Sequence, residues 1–119
     1  MKKNMSIFYN QKGFETYPAD ILINDNNSDV KWNGNVFKFF ITEGHSDACI
    51  CILIGNDLFT GDTIIKESRT VTKLPGGSKF KLIDSLCYLD SIFLGKQIKI
   101  HSGHGESFMY DDKNNYNII

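Results

Sequence analysis

Apolar and polar residues alternate along the first half of this chain in a way that predicts a short meander of strands. Val30-Lys31-Trp32 leads into Asn33-Gly34, a pair that tolerates positive φ and therefore turns a hairpin. Beyond the turn, Val36-Phe37-Lys38-Phe39-Phe40-Ile41 is β-branched and aromatic, as a strand requires. The polar loop Thr42 to Asp47 precedes a second run, Ala48 to Ile54, which Gly55-Asn56 reverses into Asp57-Leu58-Phe59-Thr60, ending at Gly61-Asp62. Polar residues thus collect at strand ends, where rigid supports can hold a site. Upstream, Asp20 to Ile23 is a short apolar stretch suited to either helix or strand, set off by the Asn/Asp-rich turn Asn24 to Asp29.

The rhythm changes after residue 77. Residues 64–77 have little periodicity, close on Pro75-Gly76-Gly77 and read as a loop. Leu82, Ile83, Leu86, Cys87, Leu89, Ile92 and Phe93 then recur close to every 3.6 residues, which predicts a helix over about 79–94, capped by Ser78 and stopped by Gly95. Gln97-Ile98-Lys99-Ile100 alternates like an edge or half-buried strand and runs into His101-Ser102-Gly103-His104-Gly105. From Asp111 onward the Asn/Asp/Lys-rich tail predicts fraying, and residues 1–29 take no clear element beyond the short apolar stretch.

Composition narrows the function. The 119 residues, 41% hydrophobic and 13% aromatic, suit one globular domain with a single core. A net charge of -1 with interspersed signs gives no basic stripe, so nucleic acid is a poor partner. The longest apolar run, Ala48 to Gly55, falls far short of the roughly 20 residues that cross a bilayer. Met1-Lys2-Lys3 is followed by no apolar leader segment, and a cytoplasmic, membrane-free protein is expected. Cys49, Cys51 and Cys87 form neither a C-x-x-C pair nor an even set; they read as small buried hydrophobes, two on one strand face and one on the apolar side of the helix.

The candidate chemistry sits in glycine-containing loops. His45, His101 and His104 are the only histidines, and each follows a predicted strand, as does Asp62. Imidazole and carboxylate are the donor types zinc takes, although a loop histidine more commonly makes ordinary hydrogen bonds. Thr42-Glu43-Gly44-His45-Ser46 resembles the T-P-G-H-[TS] loop of metallo-β-lactamase-fold hydrolases, and Phe59-Thr60-Gly61-Asp62-Thr63 matches their F-T-G-D-T turn. Arg69 with Leu74-Pro75-Gly76-Gly77-Ser78 is similar to the R-T-D-[LF]-P-G-G-S loop of the glyoxalase-II-like branch, and Gly103-His104-Gly105 looks like the closing P-G-H-G. The four occur in the family's order and spacing, over Val30 to about Phe108.

The resemblance implies an α+β chain that is the C-terminal half of a four-layer αββα sandwich: a β-meander, one long helix and a final strand, in a single truncated domain. It implies His45 as a ligand of a first metal, Asp62 as the carboxylate bridging two metals and His104 as a ligand of the second, with His101 and Ser46 near the site. The implied activity is zinc-dependent hydrolysis of an ester, thioester or amide in a small-molecule substrate. Departures accompany the match: Glu43, Val71 and Ser102 stand where the family has proline, aspartate and proline, and no histidine precedes His45, so the first-half H-x-H-x-D-H motif is absent. One copy of this sequence therefore cannot assemble a two-metal site. A half sandwich leaves one sheet face bare, which predicts either self-association, two copies stacking sheet on sheet, or a missing N-terminal half as cover. The competing reading is a non-catalytic remnant or an oligomeric interaction module that retains part of the metal site.

Overall fold

The computed structural model describes residues 14–26 and 28–113. Its core element is one six-stranded sheet in sequential order: β1 Asp29–Trp32, β2 Asn35–Ile41, β3 Ile50–Ile54, β4 Asp57–Gly61, β5 Lys99–Ser102 and β6 Phe108–Met109. The first four strands form an antiparallel meander, with both expected turns in place: Asn33 and Gly34 take φ of 50° and 78°, and Gly55 takes 60°. Helix α1, Lys79–Phe93, carries the chain back across the sheet so that β5 pairs parallel to β4, and β6 closes antiparallel on β5.

Strand pairing fixes which side chains share a face, because directly paired residues point the same way. The row Lys38, Leu53, Leu58, Ile100 and Phe108 lies on the helix side. There Phe40, Cys51, Leu58 and Ile100 are buried with Leu82, Leu86, Leu89 and Phe93 of α1, and Phe93 meets Phe40 and Tyr110 at ring-centroid distances of 5.4 and 5.6 Å. The neighbouring row, Phe39, Ile52, Phe59 and His101, lies on the opposite face. No second layer covers that face among the described residues, and Trp32 and Phe59 are 67% and 43% exposed. The cluster Phe37, Phe39 and Phe40 therefore serves both faces, Phe40 in the core and the other two on the open side.

Helix α1 follows its predicted signals. The Ser78 hydroxyl accepts from the Lys81 N–H, and Gly95 at φ 80° ends the helix. Cys87, expected on the apolar stripe, is instead exposed, because Leu82, Ser85, Leu86 and Leu89 define the buried line. Cys51 is fully buried, and burial pushes its thiol up to about 12.

Three other expectations are corrected. Asp20–Ile23 forms no regular element; Ile21 and Leu22 are 59% and 72% exposed, having no surface to pack on. The last long strand sits two residues later than its alternation suggested, at Lys99–Ser102, and of the two readings it is the half-buried one, lying between β4 and β6. The tail is anchored through Lys113. Tyr110 is fully buried and its hydroxyl donates to Asp90 at 2.7 Å, Asp111 accepts from the Gly95 N–H at 3.0 Å, and Lys113 pairs with Asp90 at 3.0 Å. The expected fraying at 114–119 and the reading of residues 1–13 lie outside the described residues.

Candidate metal centre

The loops that follow β2, β4 and β5 all emerge at one end of the sheet. The bond from the Gly103 N–H to the Gly61 carbonyl, at 2.7 Å, ties the β4 turn to the loop after β5. Parallel pairing continues to Gly61 and Ser102 through an irregularity between Phe59 and Gly61. Behind the turn, Thr60 and Ser102 both donate to the Ile64 carbonyl, and Thr70 donates to that of Thr63. Thr42 lies within 3.4 Å of both Thr63 and Cys51. Thr42, Thr60, Thr63 and Thr70 are all buried, so this hydroxyl layer fixes the floor beneath Asp62.

The β2–β3 loop is held as tightly. Gly44 takes φ 151° against α1, where a Cβ would stand 2.5 Å from that of Leu82. Its carbonyl accepts from the Ser78 N–H at 2.8 Å, and Ser85 donates to the Glu43 carbonyl at 2.7 Å. Lys81 pairs with Glu43 at 2.8 Å, and hydrogen bonding to that carboxylate raises its pKa. Glu43, standing where the family has proline, thus helps clamp the loop to the helix.

On this frame His45 Nε2 lies 3.4 Å from Asp62 Oδ2, and His104 Nε2 lies 3.2 Å from Asp62 Oδ1. The two imidazoles address different oxygens of one carboxylate. Among the described residues no group of three or more His, Cys, Asp or Glu side chains is placed to hold a single ion. The three residues meet at Asp62 as two pairs. Each separation is close to the roughly 3.3 Å between two donors of a tetrahedral ion bound at about 2.0 Å, and longer than a charge-assisted hydrogen bond of about 2.8 Å.

The tautomer of His45 bears on the same point. Its Nδ1 lies 2.8 Å from the Val71 carbonyl, which can only accept, so Nδ1 carries a proton. In the neutral ring Nε2 then presents a lone pair toward Asp62, the form a metal-ligating histidine takes, whereas in the protonated ring it donates to the carboxylate. A backbone carbonyl on the far nitrogen of a metal-ligating histidine is a common way to fix ring orientation. The donor set fits half of a two-metal centre, with two protein donors per ion where a closed site takes four.

The remaining candidates are placed differently. Ser46 contacts Cys49 Sγ at 3.1 Å and accepts from the Ala48 N–H, shaping its own loop. His101 lies on the open face, stacked on Phe59 with centroids 4.9 Å apart, between Asp57 and Ser107. Sequence reading missed Gly103, whose missing side chain leaves room for Asp62: a Cβ there would stand 2.9 Å from Oδ1. It also missed the Val71 carbonyl and the buried threonines, although Thr42, Thr60 and Thr63 lie inside the two quoted motifs.

Known proteins share this arrangement of strands and helix. The BLEG-1 B3 metallo-β-lactamase superposes with a TM-score of 0.72 at 26% identity, over 87% of this chain and 50% of that one. ETHE1 from Myxococcus xanthus gives 0.71 at 24% identity, over 83% and 45% of the two chains. In sequence, the Bacillus subtilis (strain 168) protein PksB, named a probable polyketide biosynthesis zinc-dependent hydrolase, is 21% identical over 104 residues, 85% of this chain and 46% of that protein. The chain shares the metallo-β-lactamase fold. It spans about half the length of the superfamily members it matches, and its sheet, helix and strand order make half of their fold. No family model matches the chain. Among the described residues no helix is long and apolar enough to cross a membrane.

Proposed function

We propose that this chain supplies one half of the metal centre of a superfamily hydrolase, with His45 and one oxygen of Asp62 serving one ion and His104 and the other oxygen serving the second. The observation that carries this reading is the split of Asp62 between two imidazoles, at 3.4 and 3.2 Å. The remaining ligands come from a second sheet seated on the open face, belonging either to a preceding half or to another polypeptide. Held by His45, Asp62 and His104, such ions would supply activation of water for hydrolysis of an ester, thioester or amide. The chain's own residues orient that chemistry: Val71 sets the His45 ring, and the bond from Gly103 to Gly61 holds Asp62 and His104 together. Zinc is the ion we assign, by the relation to PksB; the di-iron form of the neighbour TTHA1623 makes iron the competitor. The unpaired thiols of Cys49, Cys51 and Cys87 suit a reducing, cytoplasmic setting.

The test is titration of the metal-free protein with zinc and with ferrous iron, read by calorimetry and elemental analysis. Expected is weak binding, abolished in Asp62→Ala and weakened in His45→Ala and His104→Ala. Binding that is indifferent to Asp62→Ala would overturn the assignment.

A second reading has its own support. The open face carries Trp32, Phe39, Ile52 and Phe59 with no cover among the described residues. In that reading the chain is an interaction module that pairs with a second copy, sheet on sheet, and performs no chemistry. Trp32 is the single tryptophan and lies on that face, so iodide quenching beside sedimentation distinguishes the two. Self-association that shields Trp32, without metal uptake, favours the module.

A further inference from the structure

The open face also carries a second constellation with the components of nucleophilic catalysis. Ser107 Oγ lies 2.9 Å from His101 Nδ1, and His101 Nε2 lies 2.7 Å from Asp57 Oδ1. The Asp57 carboxylate only accepts, so the proton on the neutral ring resides on Nε2; Nδ1 then presents its lone pair, and Ser107 donates to it. The ring is fixed in plane by stacking on Phe59, at 4.9 Å between centroids and 21° between planes. Three elements contribute: Asp57 and Phe59 from β4, His101 from β5, and Ser107 from the loop before β6. Compared with the familiar serine hydrolase arrangement the two ring nitrogens exchange roles, which leaves the chemistry unchanged because either nitrogen can accept the serine proton.

We propose that Ser107, His101 and Asp57 form a metal-independent nucleophilic site for small activated esters with an apolar acyl or aryl group. Ser107 is exposed. Phe59 and Met109, 43% and 39% exposed, provide the apolar shelf beside it. The pairing of Lys99 with both Asp57 and Met109 places a cation on the same face, next to the reacting groups. In the first step Ser107 Oγ bonds to the acyl carbon as its proton passes to His101 Nδ1. The C–O bond to the alcohol breaks, and the alcohol leaves with that proton. Water, deprotonated by the same nitrogen, then attacks the acyl-serine; the acid departs and Ser107 recovers its proton. The sum is ester plus water to acid plus alcohol. Asp57 takes up no proton and holds the imidazolium while it exists.

The test uses the full chain in excess chelator, so that it stands apart from the metal centre. A fluorophosphonate probe is expected to modify Ser107, located by peptide mass spectrometry, and p-nitrophenyl acetate hydrolysis is expected to show a burst of one nitrophenolate per chain. Ser107→Ala should abolish both, and His101→Ala should slow both by a factor on the order of 100. Ser91→Ala, an exposed serine on α1, should change neither. Circular dichroism melts of each variant establish that it is folded. Absence of probe on Ser107 in the folded wild type, or hydrolysis unaffected by Ser107→Ala, would overturn the proposal without touching the zinc result.

Discussion

Gly44 is the position where loop, helix and candidate ligand are most tightly coupled, and Gly44→Ala probes all three. A Cβ at this residue would lie 2.5 Å from Leu82 Cβ, 2.6 Å from its Cα and 2.8 Å from its amide nitrogen. Helix backbone cannot yield locally, so either α1 shifts away from the sheet or the β2–β3 loop moves outward with His45. Overpacking of this kind costs about 1–3 kcal/mol. The φ of 151° adds backbone strain, on the order of 1–3 kcal/mol for a side-chain-bearing residue. Reduced freedom of the unfolded chain returns roughly 0.4–1 kcal/mol. The net loss, about 2–5 kcal/mol, corresponds to a melting temperature lower by roughly 8–20 °C at about 4 °C per kcal/mol. Gly55→Ala is the control: it too has positive φ, 60°, but nothing lies within 4 Å of the methyl group it would gain. Its cost should be backbone strain alone, about 1–2 kcal/mol. The assay is thermal unfolding followed by circular dichroism on both variants. If Gly44→Ala melts within about 2 °C of Gly55→Ala, the steric argument is refuted.

Two further predictions concern the site and the C-terminal clamp. Gly103→Ala, which brings a methyl group 2.9 Å from Asp62 Oδ1, is expected to weaken zinc binding at least tenfold while leaving far-ultraviolet dichroism unchanged; equal affinity would show that Asp62 is not the ligand. Tyr110 has its pKa raised above the ordinary value of 10.0, first by burial and then by its hydrogen bond to Asp90. A raised folded-state value means that the stabilisation is complete below the unfolded pKa and is lost as pH climbs beyond it. Stability should therefore fall by up to about 1.4 kcal/mol per pH unit above roughly pH 10. Tyr110→Phe should begin lower by roughly 1–2 kcal/mol at neutral pH and lack that component of the alkaline decline, as urea unfolding at several pH values will show.

The elements that local chemistry dictates were legible from sequence. Asn33-Gly34 specifies its turn because both residues accept positive φ, and α1 is encoded by the Leu82, Leu86, Leu89 and Phe93 spacing between the Ser78 cap and Gly95. What escaped depends on contacts between distant segments. Strand β6 has two residues, too few to produce a pattern, and exists because Phe108 and Met109 meet β5. The anchoring of Tyr110 to Lys113 rests on Asp90, Gly95 and the Ile98 carbonyl, which no periodicity near Asp111 announces. Cys87 was misplaced because a helix stripe inferred from apolar type alone cannot distinguish a thiol at its margin from one at its centre. The three candidate ligand positions and the central place of Asp62 came from motif resemblance, whereas the contacts of its two oxygens with separate imidazoles depend on the folded arrangement of three loops.

The flanks of the sheet decide how it can grow. Strand β1 has four residues and carries Asp29 and Lys31, and β6 is shorter still. Neither border offers the long, uncharged row of backbone donors and acceptors that recruits a neighbouring strand and extends into fibrils. Among the described residues, assembly by lateral addition is thereby discouraged. Under the stacking reading proposed above, a sheet that stacks without lengthening would close after one partner, so the same borders would limit how many it takes.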